Sequence, residues 1–483
     1  MPAGERTVVQ RTRWQAAIDD GRSVTLANVR RAIGADTGTA ATLNGTGVGI
    51  AMIDTGVVSV PGLPPSQIVN GPDLSFESQA PLLRYNDGYG HGTHLAGIMV
   101  GNETTTGTYG LSRGAKLTSI KVGTGTGAVD VSQVMAAVDW VVENRNHDPA
   151  YPIKVLTLAY GTISEQSPSV GPLHFALEKA WEAGILVVVA GGNGVVTAAL
   201  TNPATDPFVL SVGAAAGAQT ADPADDTESI FTNLGTKRVV DLLAPGSGIV
   251  SLRDPGSNID NTYPTARVGD RLFRGSGSSQ AAAVTAAAAA LLLQSKPNLT
   301  PDQAKQMLIS SGTPLTRGRA ATLKLRSLHV GRALTAPVPA ATSSTESRWS
   351  WWGSNDSGKS DGSGDLKDAR GAGGIRISGT WLWNEASVFG NYSSRRWTDA
   401  SKDRTAWSGG RWMDHQLAGN GWGGSSFASK TWQPAAWSFR TWTGSTWFDP
   451  AWNGRYWSGR YWSAGVWSGR YWSSEDWSGA HWG

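Results

Sequence analysis

Val48-Gly49-Ile50-Ala51-Met52-Ile53-Asp54-Thr55-Gly56 is the stretch whose reading decides the fold. Six largely apolar residues run unbroken into an acid and then a glycine. A short apolar run bounded by turn residues reads as a buried strand. Asp54 then stands at the carboxyl end of that strand, where open α/β sheets form their sites. Similar runs recur at 117–122, 155–158, 185–190 and 208–212. Between them Val131, Val134, Met135, Val138, Val141 and Val142 recur at helical spacing, and 173–183 reads as a helix ended by Gly184. Strands alternating with helices predict a three-layer α/β/α domain with a mainly parallel sheet.

Two further strings complete a chemical pattern. His91-Gly92-Thr93-His94-Leu95-Ala96-Gly97 supplies an imidazole where a loop enters a helix. Gly277-Ser278-Ser279-Gln280-Ala281-Ala282 supplies hydroxyls at the start of an alanine-rich helix. An acid, an imidazole and a hydroxyl are the three roles that turn a weak alcohol into a nucleophile at neutral pH. A helix N-terminus adds exposed N–H groups that favour an oxyanion. Ser276, Ser278 and Ser279 compete for the nucleophile's role, and position alone does not choose among them. Ala190-Gly191-Gly192-Asn193-Gly194 follows a buried run and offers the Asn193 amide as a further oxyanion donor. Each piece also has a plainer reading: an Asx turn at Asp54, a helix cap at the serines, a turn at Asn193-Gly194. His91 and His94 have the spacing of a metal-binding pair, but no cysteine and no obvious third ligand accompany them. His94 is therefore read as a packing residue and no metal ligand is assigned.

These strings, in the order Asp, His, Ser, closely resemble the subtilisin-like serine peptidases, the subtilase family. The family strings are Asp-Thr-Gly, His-Gly-Thr-His-Val-Ala-Gly and Gly-Thr-Ser-Met-Ala-Ala-Pro. Phe231-Thr232-Asn233-Leu234-Gly235 and Leu243-Ala244-Pro245-Gly246 resemble further landmarks of the family. The resemblance implies Asp54, His91 and Ser279 as the triad, Asn193 as the oxyanion residue, and serine endopeptidase activity on protein or peptide substrates. It implies a substrate-binding surface of Ala159, Tyr160, Gly161, Ala190, Gly191 and Gly192. Gln280 stands where the family has Met and Ala283 where it has Pro; neither change removes a group the mechanism needs. The family's Ser-Leu-Gly strand appears as Ala159-Tyr160-Gly161, with a bulkier centre. The chemistry requires no cofactor. Calcium is common in the family, but no full set of oxygen ligands is traceable here.

The chain has 483 residues, a net charge of +3 and no cysteine. The charge is too small to point to nucleic acid or an anionic membrane as the main partner. Absence of cysteine removes disulfides and thiolate metal sites. The apolar run 281–293 is shorter than the roughly 20 residues that a membrane span needs. No signal peptide is visible. The family resemblance implies a secreted precursor, so residues 1–22 are read as the remnant of a pro-segment and the location as extracellular or cell-wall associated; a cytoplasmic location is the alternative.

Residues 23–335 form the expected peptidase domain and 336–365 a flexible Pro/Ala/Ser/Thr/Gly-rich linker. Residues 366–483 form a tail of different composition, read as low-complexity and poorly ordered. Of 23 tryptophans, 20 follow residue 348, and 15 of these fall on a five-residue lattice running from Trp397 to Trp482. Such a repeat suits no regular element, since five residues advance a helix by about 140°. Exposed aromatic groups in this number call for a partner. Stacking on sugars fits Trp best and makes cell wall or polysaccharide the expected partner. From Trp437 onward four arginines face Asp449, Glu475 and Asp476, a poor charge balance for binding phosphates. The competing reading of the whole chain is a catalytically degenerate subtilase scaffold that carries a binding tail.

Overall fold

In a computed structural model, the described residues are 23–340 and 358–416, apart from 76, 79–82, 128, 218–225, 372–374, 378–379, 383–385, 388–389 and 409–410, together with 436–437 and 440–441. The expected remnant 1–22, most of the linker and most of the tryptophan lattice lie outside the described residues.

Seven strands build the central sheet: β1 (Gly49–Asp54), β2 (Ile68–Asp73), β3 (Lys116–Lys121), β4 (Ile153–Leu158), β5 (Leu186–Ala190), β6 (Leu210–Ala216) and β7 (Leu242–Pro245). Their spatial order is β2-β3-β1-β4-β5-β6-β7, and every neighbouring pair is parallel. Short strands at Arg326–Ser327 and Thr313–Pro314 extend the β7 edge. The apolar runs predicted β1 and β3–β6. They did not reveal β2, whose Ile68-Val69-Asn70-Gly71-Pro72-Asp73 is polar and carries a proline that only an edge strand tolerates.

Helices cover both faces. α1 (His91–Val100) packs on α4 (Ser278–Ser295), and α2 (Val131–Asn144) packs on α3 (Pro172–Glu182). α4 lies against β4–β7 and is buried along nearly its whole length. A helix that is apolar all round belongs in an interior. Its alanines let it approach both the sheet and α1 closely. The order of strands matters for function. β1 lies between β3 and β4, so the loops after β3 and β4 stand on either side of Asp54 at the end of β1.

One feature departs from the division drawn at residue 365. Residues 358–371 and the helix α5 (Ser394–Lys402) lie directly on the peptidase fold, against α2 and α3. Trp397 and Trp412 each donate an indole N–H to Asp139 of α2 at 2.8 Å, and Ser401 donates its hydroxyl to the same carboxylate at 2.8 Å. Trp407 donates to the Ala136 carbonyl at 2.9 Å. The ring of Trp397 meets Phe175 of α3 edge-on, and the Lys402 ammonium lies over the same phenyl ring. The first four points of the lattice, Trp397, Lys402, Trp407 and Trp412, thus all serve as anchors on one face of the domain.

Candidate active site

Asp54 ends β1 and is fully buried. Its Oδ1 lies 2.8 Å from His91 Nδ1 and accepts from the Thr55 N–H at 2.8 Å. An Asp on Nδ1 fixes the tautomer that leaves Nε2 as the basic nitrogen. The Asp-Thr-Gly and His-Gly-Thr-His strings have this spacing because α1 enters the site over the β1 turn. Gly56 takes a positive φ of 106° in that turn. A Cβ on Gly92 would lie 2.1 Å from the Gly56 carbonyl oxygen. Only glycine at both places lets His91 approach Asp54.

A second aspartate, not singled out by the sequence reading, holds the start of α1. Asp87 Oδ1 accepts from the Gly90 N–H and Oδ2 from the Thr93 N–H, each at 2.7 Å. These are among the donors that a helix N-terminus leaves without intrahelical partners. The Thr55 hydroxyl lies 2.7 Å from Asp87 Oδ1 and 3.1 Å from Asp54 Oδ1, and it accepts from the Gly92 N–H at 3.0 Å. Thr93 accepts from the Val58 N–H at 3.1 Å. Burial raises the Asp87 carboxyl above its usual range, against the lowering effect of its hydrogen bonds. An acid four residues before His91, next to a helix start, is the signal that would have found it. His94 is completely buried, and burial pushes its imidazole down to about 3, so it stays neutral as a packing group.

The structure separates the three serines. Ser276 Oγ accepts from the Gly248 N–H at 2.7 Å and Ser278 Oγ from the Gly192 N–H at 3.2 Å. Ser279 Oγ, in the first turn of α4, makes no hydrogen bond among the described residues. Asn193 Oδ1 accepts from the Ser278 N–H at 2.7 Å. An N–H cannot accept, so this contact turns the Asn193 amide with its NH₂ as the donor end. Gly191 and Gly192 fix the loop that carries Asn193. The Gly191 N–H donates to Val212 O at 2.9 Å, and Gly192 O accepts from the Asn233 N–H at 2.9 Å. Ala159, Tyr160 and Gly161 continue from β4, with the Tyr160 side chain packed inside the protein. A Cβ on Gly161 would press on Thr201. Among the described residues no group of three or more His, Asp or Glu side chains is placed to hold a metal.

The Subtilase family profile matches residues 45–328, more than half of the chain. The chain belongs to the subtilase family. Serine protease AprX of Bacillus subtilis is 36% identical over 276 residues, which is 55% of this chain and 61% of that protein. Subtilisin-like protease 1 of Trichophyton verrucosum is 35% identical over 172 residues, 36% of this chain and 38% of its own length. The chain thus spans about three-fifths or less of these relatives. Among solved structures, fervidolysin from Fervidobacterium pennivorans, a keratinolytic enzyme related to subtilisin, superposes over 64% of this chain and 46% of its own, with a TM-score of 0.50 and 23% identity. That likeness concerns the fold. All the site residues above lie inside the family match. The docked residues 358–371, the helix Ser394–Lys402, Trp407 and Trp412 lie outside it.

Proposed function

We propose that this subtilase is a serine endopeptidase acting through an acyl-enzyme. The observations that carry the reading are the Asp54–His91 contact of 2.8 Å and a Ser279 hydroxyl that, alone of Ser276, Ser278 and Ser279, makes no hydrogen bond among the described residues. His91 Nε2 takes the proton of Ser279 as Oγ attacks the peptide carbonyl carbon. Asp54 stabilises the imidazolium that forms. The Asn193 amide and the Ser279 N–H hold the oxyanion. Collapse of the tetrahedral intermediate breaks the C–N bond, and His91 returns the proton to the leaving amine. Water then hydrolyses the Ser279 ester by the same proton path. Every step is served by these side chains and water, without a cofactor. An extended peptide laid along Ala159–Gly161, with Ala190–Gly192 beside Asn193, would present its carbonyl to the serine; strand addition of this kind uses main-chain hydrogen bonds.

The test is hydrolysis of unfolded casein, with labelling of the wild type by a serine-directed phosphonate. The reading expects both, and expects both to vanish in Ser279→Ala. A folded wild type that neither cleaves nor labels would instead support a degenerate scaffold. For the tail we propose association with cell wall or polysaccharide and an extracellular location, on the strength of its tryptophan content. Among the described residues no helix is long and apolar enough to cross a membrane. Sedimentation of the full chain with insoluble cell-wall material tests the tail, and its absence from the pellet overturns that part.

A further inference from the structure

The docked segment reaches the loops that flank the catalytic end of β1. Residues 361–369 run beside the chain that follows β4. The Asp361 N–H donates to Ser169 O at 2.9 Å, the Gly364 N–H to Val170 O at 2.7 Å and the Gln166 side chain to Asp365 O at 3.0 Å. Ser164 donates its hydroxyl to Asp368 O at 2.6 Å, and Thr162 its hydroxyl to Ala369 O at 2.9 Å. Thr162 also exchanges main-chain hydrogen bonds with Asn202, at 2.7 and 2.9 Å. The residues just after Ala159-Tyr160-Gly161 are therefore gripped from two sides.

The next residue crosses to the other loop. Arg370 is fully buried, and its Nε and one terminal nitrogen donate to the two oxygens of Asp130 at 2.7 and 3.2 Å. Asp130 ends the loop after β3 and caps α2; its Oδ2 accepts from the Ser132 N–H at 3.1 Å. Its own N–H donates to the Gln133 side chain at 2.6 Å, and Gln133 donates to Leu74 O at 2.6 Å. A two-pronged guanidinium–carboxylate pair fixes orientation as well as distance. One short segment, 368–370, thus spans the loop after β4 and the loop after β3, on either side of Asp54.

We propose that Arg370 is a positioning residue for the peptide substrate: by holding Asp130 while its own segment holds Thr162 and Ser164, it sets the width of the channel through which an extended chain passes Ser279. This deepens the endopeptidase reading and rests on it. Arg370 lies beyond the family match, so in this chain the docked segment completes a channel whose chemistry lies wholly in the matched domain. A substrate short enough to touch only the reacting atoms does not sense the width. A substrate of several residues does.

Steady-state kinetics on an extended peptide anilide and on a single-residue ester tests this, using the full chain and the variants Arg370→Gln, Arg370→Lys, Thr162→Val and Ser164→Ala. Arg370→Gln should raise KM for the extended peptide about tenfold, with kcat changed less than about threefold and the ester kinetics unchanged within about twofold, because a displaced wall misplaces only what lies against it. Arg370→Lys should recover part of the loss. If Arg370→Gln does not fold, Thr162→Val and Ser164→Ala must show the same split at about two- to threefold. Equal losses on peptide and ester, or an unchanged peptide KM in the folded variants, overturn the proposal. Phosphonate labelling of the wild type separates the two failures: without it the endopeptidase reading falls, and with it only the role of Arg370 is in question.

Discussion

Two buried aspartates, Asp54 and Asp139, solve the same problem with different consequences. Each is a carboxylate out of water, and each must be satisfied by donors or it would not be tolerated. Asp54 receives the Thr55 N–H and meets His91 Nδ1. Asp139 receives two indole N–H groups and one hydroxyl. The difference lies in what the donors can do next. An imidazole held by Asp54 can take up a proton at its far nitrogen and pass it on. An indole held by Asp139 cannot, so the same arrangement becomes an anchor. Burial makes a carboxylate demanding, and the partner decides whether the result is chemistry or attachment.

Five substitutions break or sharpen this comparison. Under the proposed mechanism Ser279→Ala removes the hydroxyl that His91 and Asp54 would activate, and kcat should fall by a factor on the order of 10⁴–10⁶. Residual turnover near wild type would show that the Asp54 cluster is not a catalytic one. The same exchange, Asp to Asn, made at the two aspartates is the sharpest contrast. Asp54→Asn should lower kcat by about 10⁴ through the wrong histidine tautomer, with little change in thermal stability. At Asp139 an Asn can still accept both indole N–H groups on its oxygen and donate to Ser401. Asp139→Asn should therefore keep activity within about twofold. Equal activity losses in the two variants would erase the distinction.

Asn193→Ala should cost about 10²–10³ in kcat with KM little changed, since it removes a donor used mainly in the transition state. Asp139→Ala leaves the Trp397 and Trp412 donors unsatisfied and should lower the unfolding free energy by about 2–4 kcal/mol, measured by denaturant titration, without altering the active-site label.

The smallest effect is in pH. Burial pushes the Asp139 carboxyl up from 3.8 to about 6, against its three hydrogen bonds. Between those values the folded chain holds a proton that the unfolded chain has released. Stability contributed at this site thus declines as pH rises from about 4 to about 6 and is level above that. Asp139→Asn should make the fall in melting temperature over that window shallower. Glu143 and Asp206, which burial pushes up to about 8 and about 6, add declines of their own that begin in the same window and would remain. An unchanged slope between pH 4 and 6 would show that Asp139 does not titrate there.

Legibility differed sharply between these regions. Asp54, His91, Ser279 and Asn193 could be read because each sits at a strand end or helix start, where local patterns leave a strong mark. β1 and β3–β6 were legible as unbroken apolar runs. β2 was not, because Asn70, Gly71 and Pro72 suit an edge and disguise a strand. Asp87 escaped notice because one acid before a helix looks like any cap. Position along the chain did not choose among Ser276, Ser278 and Ser279; the family resemblance implied Ser279, and the fold brings the Gly248 N–H to Ser276 and the Gly192 N–H to Ser278.

The docked segment shows the limit most clearly. Its period of five, its glycines and its distance from the domain all read as a tail. Yet Trp397 and Asp139 are separated by 258 positions and touch. By itself the sequence determined what depends on neighbours along the chain: the alternating strands and helices, the acid, base and hydroxyl with their flanking glycines, and hence the family. Tertiary structure alone decided which serine is not engaged, that Asp87 holds the helix of His91, and that Arg370 and three lattice tryptophans belong to the peptidase fold. The reason is that such contacts join groups far apart in the chain, whose mutual burial leaves no local pattern until the sheet and helices have brought them together.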